Sequence, residues 1–379
     1  DEIQLQPLLV VDGGTVTMNP ISGTFRHPAE GPTVPAMRAF LTDTKETEEL
    51  FMVVDEELKM MSAICAEGGR ITGPHLKQMS RLTHTEYVLR GHSNLDPREI
   101  LRETMFAPTV TGSPMQNACA VIRRHETTPR GYYSGVVALF TPSQTVPGTH
   151  DVDAPILIRT VYLRDGGLRV PVGATLVRHS TPEGEVSETH GKAAGVLGAI
   201  GAVARPAMMD ASAPRLSDDP ELAALLESRN TRLAPFWLRP QIALTDADDT
   251  AFTGRTAVIV DAEDRFTTML AHQLRHLGLH VDVTHWSEAD PAALNAADLV
   301  VAGPGPGDPR DADNPRIARM REIVTTRLKQ QRPLLAVCLS HQILADAIGL
   351  ELAPLAAPHQ GLQRTVELFG APATIGFYN

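Results

Sequence analysis

The feature that most constrains this chain is an apolar run that ends in a cysteine, directly before a helical pattern. The run covers residues 333–337, the cysteine is Cys338, and the helical pattern covers 341–348. A thiol on such a strand-to-helix turn stands clear of its own backbone, near the positive end of a helix, which favours the nucleophilic thiolate. The arrangement is the sulfur counterpart of a serine nucleophile elbow. A buried structural cysteine is the ordinary alternative.

From residue 255 onwards, strand and helix patterns alternate. Four apolar runs have the length and composition of strands: 256–261, 280–284, 297–302 and 333–338. Two segments between them have helical periodicity: 266–278 and 317–329. This alternation predicts a doubly wound α/β domain with a parallel sheet over 255–379. Functional groups gather at the carboxyl ends of such strands, which is where Cys338 and the Gly-Pro-Gly-Pro-Gly-Asp loop at 303–308 both stand.

The first part of the chain has a different pattern. Short β-like runs are mixed with four segments of helical pattern, at roughly 43–66, 74–89, 114–126 and 182–204. The mixture predicts an α+β domain over 1–204, with antiparallel sheets covered by helices. The turn-rich, polar stretch at 205–254 is interpreted as a linker that contains one short helix.

Composition excludes several classes of function. The formal net charge is −11, and no basic stripe with interleaved aromatic residues occurs, so nucleic-acid binding is not expected. Three widely spaced cysteines favour neither a disulfide framework nor a zinc site, which suits a reducing cytoplasm. No apolar run reaches the length of a membrane span, and the first residues are unlike a signal peptide.

The loop at 303–308 and the cysteine turn together indicate acyl-transfer chemistry. Glycines in the loop permit close approach to backbone N–H groups, which can form one wall of an oxyanion hole. The ordinary alternative is a stiff turn at a strand end. The Ala-Val-Cys-Leu-Ser-His-Gln sequence at 336–342 resembles the G-x-C-x-G-x-Q nucleophile motif of class I glutamine amidotransferases, with small residues in place of both glycines.

This resemblance implies that Cys338 attacks the side-chain amide of glutamine. It also implies that the Leu339 N–H and the Gly305 loop hold the oxyanion. His341 belongs to the nucleophile helix and receives no role as the base. The family's His-x-Glu pair follows a segment similar to Gly-Phe-Tyr-Asn at 376–379, where the sequence ends. The full triad is therefore not expected within these 379 residues.

Two glutamate pairs stand at the starts of predicted helices in the first part. Glu46 and Glu49 follow Asp43, a predicted N-cap, and Glu185 and Glu188 open the helix near residue 182. A spacing of three places both carboxylates on one helix face, with Cβ atoms about 5–6 Å apart. Because Mg²⁺ is bound by few carboxylates with waters and substrate oxygens, two converging pairs predict an Mg²⁺ site. The ordinary alternative is that these glutamates are solvated and suit the helix dipole.

Six short motifs follow one another in this part of the chain. They are Pro-Ile-Ser-Gly-Thr at 20–24, Glu46-x-x-Glu49, Thr-Gly-Ser-Pro at 111–114, Arg-Gly-Tyr-Tyr-Ser-Gly at 130–135, Ile-Arg-Thr at 158–160 and Glu185-x-x-Glu188-Thr-x-x-Lys192. In this order they resemble the catalytic domain of chorismate-utilising enzymes, the anthranilate and isochorismate synthase family. The resemblance covers only the later part of that domain, so its amino-terminal section is expected to be missing.

The resemblance implies a role for each matched residue. The four glutamates would bind Mg²⁺ and, through it, the ring carboxylate of chorismate. Arg159 and Tyr133 would contact the second carboxylate, which an arginine fork matches bidentately. His84 would act near the departing ring hydroxyl as a general acid or hydrogen-bond donor. The remaining matched residues line or adjoin the pocket: Thr24, Thr111, Gly112 and Lys192.

Both halves in one chain imply that ammonia, released from glutamine, passes internally to chorismate. The Thr-Phe-Arg-His-Pro run at 24–28 and His-Gln-Gly-Leu-Gln at 359–363 make the chain similar to family members that serve phenazine biosynthesis. That similarity implies amination of chorismate to 2-amino-2-deoxyisochorismate without pyruvate elimination. Met60, Met115 and Thr175 depart from the pattern of a typical anthranilate synthase large subunit.

Two alternatives stay open at this point. A fused anthranilate synthase would also expel pyruvate and aromatise the ring, and no residue separates the two reactions on physical grounds alone. A non-catalytic binding or assembly module is the alternative from a different class. Pairing of the chain as a homodimer is compatible with either enzyme.

Overall fold

The chain divides into two compact units, Asp1–Gln241 and Ile242–Asn379. The structure is a computed structural model, and it describes residues 7–28, 30–79, 82–204, 215–241 and 252–378. Each unit is described below by itself. Within the described ranges, no helix combines the length and apolar character needed to cross a membrane.

The first unit is built on a seven-stranded sheet in its described residues, with the strand order β3-β5-β2-β1-β7-β6 and with β4 also paired to β5. All of its strand pairs are antiparallel. A separate hairpin joins β8 and β9. The strands are β1 Pro7–Asp12, β2 Thr15–Met18, β3 Ile21–Arg26, β4 Arg70–Gln78, β5 Leu82–His92, β6 Leu139–Pro142, β7 His150–Pro155, β8 Tyr162–Arg164 and β9 Gly167–Arg169.

Helices of the first unit connect and cover these strands. They are α1 Val34–Thr42, α2 Thr44–Ile64, α3 Pro97–Thr104, α4 Pro108–Thr111, α5 Met115–His125, α6 Pro182–Ala199, α7 Pro220–Arg229 and α8 Pro235–Leu238. The two helices that carry the glutamate pairs begin at well-formed caps. The Asp43 carboxylate accepts from the Glu46 N–H, and the Thr181 hydroxyl accepts from the Gly184 N–H. These caps satisfy N–H groups that a helix start leaves unpaired.

The helix predicted over 74–89 is wrong, because this segment lies in the antiparallel strands β4 and β5. Thr83, Thr85, Tyr87 and Leu89 are all buried. Their spacing of two is the period of a strand with one face against the core. This spacing of two could be read from the sequence. The structure places His84 on the strand β5.

Residues 215–241 belong to the first unit, which extends beyond the predicted domain end at 204. Leu216, Leu222 and Leu226 form a buried cluster with Met37 and Leu41 of α1. Burial of apolar side chains stabilises by about 25 cal/mol per Å² of apolar surface, so this segment is held as part of the core. The other parts of the predicted linker, 205–214 and 242–251, lie outside the described residues.

The second unit contains a four-stranded parallel sheet in the order β11-β10-β12-β13. Its strands are β10 Thr256–Asp261, β11 His280–His285, β12 Leu299–Ala302 and β13 Leu334–Ala336. Its helices are α9 Phe266–His276, α10 Pro291–Ala296, α11 Pro315–Lys329 and α12 Leu339–Ala347. An antiparallel hairpin, β14 Gln360–Leu368 and β15 Ala371–Tyr378, follows α12.

Alternate residues of β10 enter two different hydrophobic clusters. Val258 and Val260 pack with residues of α11 and α12, including Met320 and Ile343. Ile259 lies in the other cluster, with residues of α9 and β11. Strand residues alternate between the two faces of a sheet, so this sheet is covered by helices on both faces.

Candidate active sites

A cavity of about 560 Å³ opens in the first unit. Its walls come from β3, α2, β5, the segments around residues 125–133 and 156–175, and α6. A space of this size suits a small-molecule ligand. Seven of the predicted site residues line it: Thr24, Glu49, His84, Tyr133, Arg159, Glu188 and Lys192.

The four predicted metal-binding glutamates converge on one lysine. The Nζ atom of Lys45 lies 3.2 Å from Glu46 Oε1 and 2.9 Å from Glu49 Oε2, both on its own helix. It also lies 3.5 Å from Glu185 Oε1 and 3.7 Å from Glu188 Oε2, on α6. The two first helical turns therefore meet around a single ammonium group, although about 140 residues separate them in the sequence.

Burial and charge shift the pKa values in this cluster. Burial raises the pKa of Glu46 to about 7, against the effect of the Lys45 ammonium. Burial opposes the charge on Lys45, but the carboxylates of Glu49 and Glu46 raise its pKa above the usual range. Burial alone would raise the pKa of Glu188, but the ammonium groups of Lys192 and Lys45 outweigh this effect and hold the pKa below its usual value. Lys192 Nζ lies 2.6 Å from Glu188 Oε1.

The cluster fits a hard divalent cation by its chemistry. Glu46 and Glu185 each keep a buried Oε2 atom that has no hydrogen-bond partner. Within the described ranges, no three histidine, cysteine, aspartate or glutamate side chains are arranged to hold a metal as they stand. Mg²⁺ binds oxygen at roughly 2.0–2.1 Å, so for a cation at the position of Lys45 Nζ the carboxylates would have to close in by roughly 0.8–1.7 Å or use bridging waters. The oxygen donors are of the right kind, and a lysine lies between them.

His84 lies at the cavity wall on β5, and its side chain is buried. Burial lowers the pKa of His84 to about 4, so the ring is neutral near pH 7. Its Nδ1 lies 2.8 Å from the Gly23 carbonyl oxygen, which can only accept, so Nδ1 carries the proton. The remaining nitrogen, Nε2, is then a hydrogen-bond acceptor. This differs from the donor or acid role that the family resemblance implied.

Arg159, Tyr133 and Lys192 provide the polar wall of the cavity. Arg159 has φ +52°, a left-handed conformation that is uncommon for a residue with a side chain. The Lys192 ammonium donates to the Gly173 carbonyl at 3.1 Å. A Cβ atom on Gly173 would lie 2.7 Å from the Tyr133 hydroxyl, so only glycine leaves the tyrosine in place. Two cationic side chains and one phenol thus reach the same space.

Two predicted pocket residues do not line the cavity. The hydroxyl of Thr111 donates to the Ala107 carbonyl at 2.9 Å, which keeps it on its own short helix. Gly112 ends that helix with φ +107°. Thr109 and Val110 line the cavity in their place. The Thr109 hydroxyl donates to the Ile21 carbonyl at 3.3 Å, which ties α4 to β3.

Two residues of the site were missed by the sequence analysis. Lys45 stands next to Glu46 and four residues before Glu49, so a cation inside an acidic run was the available signal. Glu57 lines the cavity, is buried, and has an Oε2 atom without a hydrogen-bond partner. Burial raises the pKa of Glu57 to about 8. No local pattern distinguishes Glu57 from the charged residues around it.

In the second unit, Cys338 sits at the turn between β13 and α12, as predicted. It has φ +51° and ψ −111°, a strained conformation for a residue with a side chain. The side chain is half-buried, and Sγ lies 3.6 Å from the Tyr378 carbonyl oxygen. Leu339 is the first residue of α12. Its N–H therefore belongs to the helix N-terminus that follows the thiol, where the predicted oxyanion donor should be.

The glycine-rich loop is tied to the thiol turn through a neighbouring residue. The Ser340 hydroxyl donates to the Gly303 carbonyl at 2.7 Å. A Cβ atom on Gly305 would lie 2.1 Å from the Ala262 carbonyl oxygen, so the loop passes too close to the end of β10 for any other residue. This packing fixes the position of the loop. The oxyanion role of Gly305 and Leu339 stays a prediction.

This chain belongs to the chorismate binding enzyme family, whose family model matches residues 7–198, about half of the chain. Residues 258–379 match the class-I glutamine amidotransferase family model. The two resemblances found in the sequence are thus confirmed.

The chain is similar to curated proteins that are named for phenazine biosynthesis. It is 48% identical over 372 residues to "Anthranilate synthase, phenazine specific" of Pseudomonas fluorescens, which covers 97% of this chain and 56% of that protein. The protein of the same name in Pseudomonas chlororaphis is 47% identical over 375 residues, with 97% of this chain and 56% of that protein covered. The chain spans about half the length of these relatives.

Among solved structures, anthranilate synthase component I of Streptococcus pneumoniae TIGR4 is 29% identical. The match has a TM-score of 0.42 and covers 50% of this chain and 42% of that one.

Proposed function

We propose that the protein that carries this chain aminates chorismate to 2-amino-2-deoxyisochorismate in a phenazine pathway, with ammonia released from glutamine by the second unit. The observation that carries the proposal is the convergence of four glutamates from α2 and α6 beside a cavity lined by Arg159 and Lys192. The family match and the phenazine-specific relatives support it.

Chorismate is a dianion, and the cavity offers a partner for each carboxylate. Arg159 and Tyr133 would bind one carboxylate, since a guanidinium donates two parallel hydrogen bonds to such a group. The glutamate cluster would hold Mg²⁺, which when bound supplies positive charge at the ring carboxylate. Lys192 would stay beside Glu188 and add a second positive charge at that end of the cavity.

Neutral His84 would orient the hydroxyl that leaves. With Nδ1–H donated to Gly23, Nε2 accepts a hydrogen bond from the C4 hydroxyl and fixes the direction of the C4–O bond. In the reaction, ammonia forms the C2–N bond, both ring double bonds shift by one position, and the C4–O bond breaks. The hydroxyl leaves with a proton that comes from the attacking nitrogen, so one water is released for each ammonia added.

Product analysis tests the proposal. The protein is incubated with chorismate and Mg²⁺, and with either an ammonium salt or glutamine that carries ¹⁵N in its amide, and the products are identified by mass spectrometry. A product that contains ¹⁵N and retains the enolpyruvyl group supports the proposal. If chorismate is not consumed with the ammonium salt or with glutamine, the enzymatic proposal is overturned, and the alternative of a non-catalytic binding module is supported.

Anthranilate synthesis is the second candidate. The names of the relatives favour it, because each contains the words anthranilate synthase. That reaction would release pyruvate and form a fluorescent aromatic amine. Fluorescence with stoichiometric pyruvate in the same incubation would decide for this candidate.

A further inference from the structure

Lys45 occupies the centre of the glutamate cluster. Its Nζ atom lies within 3.7 Å of a carboxylate oxygen from each of the four glutamates. The side chain is only 16% exposed. An ordinary surface lysine pairs with one or two carboxylates at most, and such pairs are weak. This one lies between two helix starts whose four acidic groups would otherwise repel each other across the gap.

The positive charge in this cluster does not balance the negative charge. The charged side chains in contact here are four carboxylates and the ammonium groups of Lys45 and Lys192, and of the four carboxylates Lys192 pairs with that of Glu188. Two carboxylate oxygens, on Glu46 and Glu185, are buried without a hydrogen-bond partner. Buried polar atoms are normally paired, so unpaired oxygens beside a monovalent cation mark a site that is built for more positive charge.

We propose that Lys45 is an exchangeable placeholder for the divalent cation: its ammonium group holds the four glutamates together in the metal-free protein and leaves the cluster when a divalent cation enters. The inference rests on the metal site of the proposed function. A flexible four-carbon stem and a strongly hydrated ammonium suit this exchange, because the lysine can swing into solvent. Two cations cannot share the centre, since like charges at such distances repel strongly.

The exchange has two consequences. Metal binding includes the free energy needed to displace Lys45, so the lysine weakens the apparent affinity for the metal. In return, α2 and α6 keep their relative position when the metal is absent, because a buried carboxylate cluster without any cation is destabilised. Lys45 is therefore a positioning residue, and its role differs from that of a fixed ion pair, which would remain when the metal is bound.

The test compares Lys45→Met with Lys59→Met. Lys59 is a matched control because it lies on the same helix, has a side chain that is 17% exposed, and contacts Glu56 at 3.7 Å. Each protein is stripped with EDTA and dialysed, and Mg²⁺ or Mn²⁺ binding is measured by titration calorimetry. Thermal unfolding is followed with EDTA and again with excess Mg²⁺. Lys45→Arg serves as a second variant that keeps the charge.

Lys45→Met is expected to bind the metal about tenfold more tightly than the wild type, since no ammonium has to be displaced. Its melting temperature should fall in EDTA and recover with Mg²⁺. Lys59→Met should bind the metal like the wild type. Lys45→Arg should bind it no more tightly than the wild type, because the guanidinium also pairs with carboxylates.

Two results would overturn the inference in different ways. If Lys45→Met binds the metal with unchanged or lower affinity while the wild type binds it, Lys45 is not displaced, and the metal site itself stands. If neither the wild type nor any variant binds Mg²⁺ or Mn²⁺, the metal site of the proposed function is refuted, and the proposed exchange is refuted as well.

Discussion

The two units build their candidate sites in opposite ways. In the first unit, the site depends on side chains from distant segments, with the glutamates of α2 and α6 meeting around Lys45. In the second, the main feature is one local backbone conformation at Cys338, in the left-handed region between a strand and a helix. The first site is thus sensitive to the balance of buried charge, and the second to the geometry of one turn.

Glu188→Gln should have the largest effect on activity. Glu188 lines the cavity and contacts both Lys45 and Lys192, so its loss disturbs the glutamate cluster and the polar wall together. Amination should fall about 10³-fold with ammonium and with glutamine alike. Initial rates of product formation measure this, with Glu183→Gln as control, an exposed residue in the first turn of the same helix. An unchanged amination rate in Glu188→Gln would contradict the proposed role of the glutamate cluster.

Cys338→Ala should remove only one of the two activities. Glutamine-dependent amination should fall about 10³-fold or more, because the nucleophile is lost. Amination with ammonium should stay near the wild-type rate, since the first unit is untouched. The ratio of the two rates is the measurement, and Cys119→Ala, a half-buried cysteine of the first unit, is the control. Equal loss with both donors would contradict the division of labour between the units.

Glu57→Gln should change how stability depends on pH. Burial raises the pKa of Glu57 to about 8, whereas an unfolded glutamate titrates near 4.5. Between these values the unfolded chain loses the proton and the folded chain keeps it. The contribution of Glu57 to wild-type stability therefore falls as pH rises through this window, by at most about 1.4 kcal/mol per pH unit.

Denaturant unfolding at pH 5, 6, 7 and 8 measures this slope. The stability of Glu57→Gln relative to the wild type should rise with pH across this window, whereas that of Glu67→Gln, at an exposed position, should not. If the variant and the wild type show the same slope, Glu57 is not buried as a neutral acid.

His84→Gln should have a smaller effect of the opposite sign. Burial lowers the pKa of His84 to about 4, against a usual value of 6.5. Below 6.5 the unfolded chain gains a proton that the folded chain does not take up. The contribution of His84 to wild-type stability is therefore full above this pH and falls as pH decreases towards 4, again by at most about 1.4 kcal/mol per pH unit.

The same unfolding measurement at pH 4.5, 5.5, 6.5 and 7.5 tests this expectation. The stability of His84→Gln relative to the wild type should rise as pH decreases below 6.5, whereas that of His75→Gln, an exposed histidine on the neighbouring strand β4, should not. If His84→Gln and the wild type show the same slope, the proton uptake lies elsewhere.

Local rules explain what could be predicted from the sequence. The starts of α2 and α6 were predictable because an N-cap and the residues that it serves lie within three positions of each other. The turn at Cys338 was also predictable, because it needs only a strand, a short turn and a helix in succession. Both rest on contacts between residues that are close in the chain.

The sequence did not predict features that depend on tertiary contacts, and the strand period of one segment was misassigned as helical. The segment at 74–89 shows buried residues two apart, so the strand signal was available and was overlooked. The position of Lys45 could not be predicted, because Glu185 and Glu188 are about 140 residues away in the sequence and contact it only in the folded unit. Likewise, only the packed structure shows that Thr111 bonds to Ala107 and leaves the cavity wall to Thr109.

Gly173 sets a limit on what the first unit can admit. This residue forms part of the cavity wall with backbone atoms alone, and its carbonyl also accepts from Lys192. An added methyl group would push against the Tyr133 hydroxyl. Gly173→Ala would crowd the Tyr133 hydroxyl and take up space at this wall, so the local width of the cavity is set by a residue without a side chain.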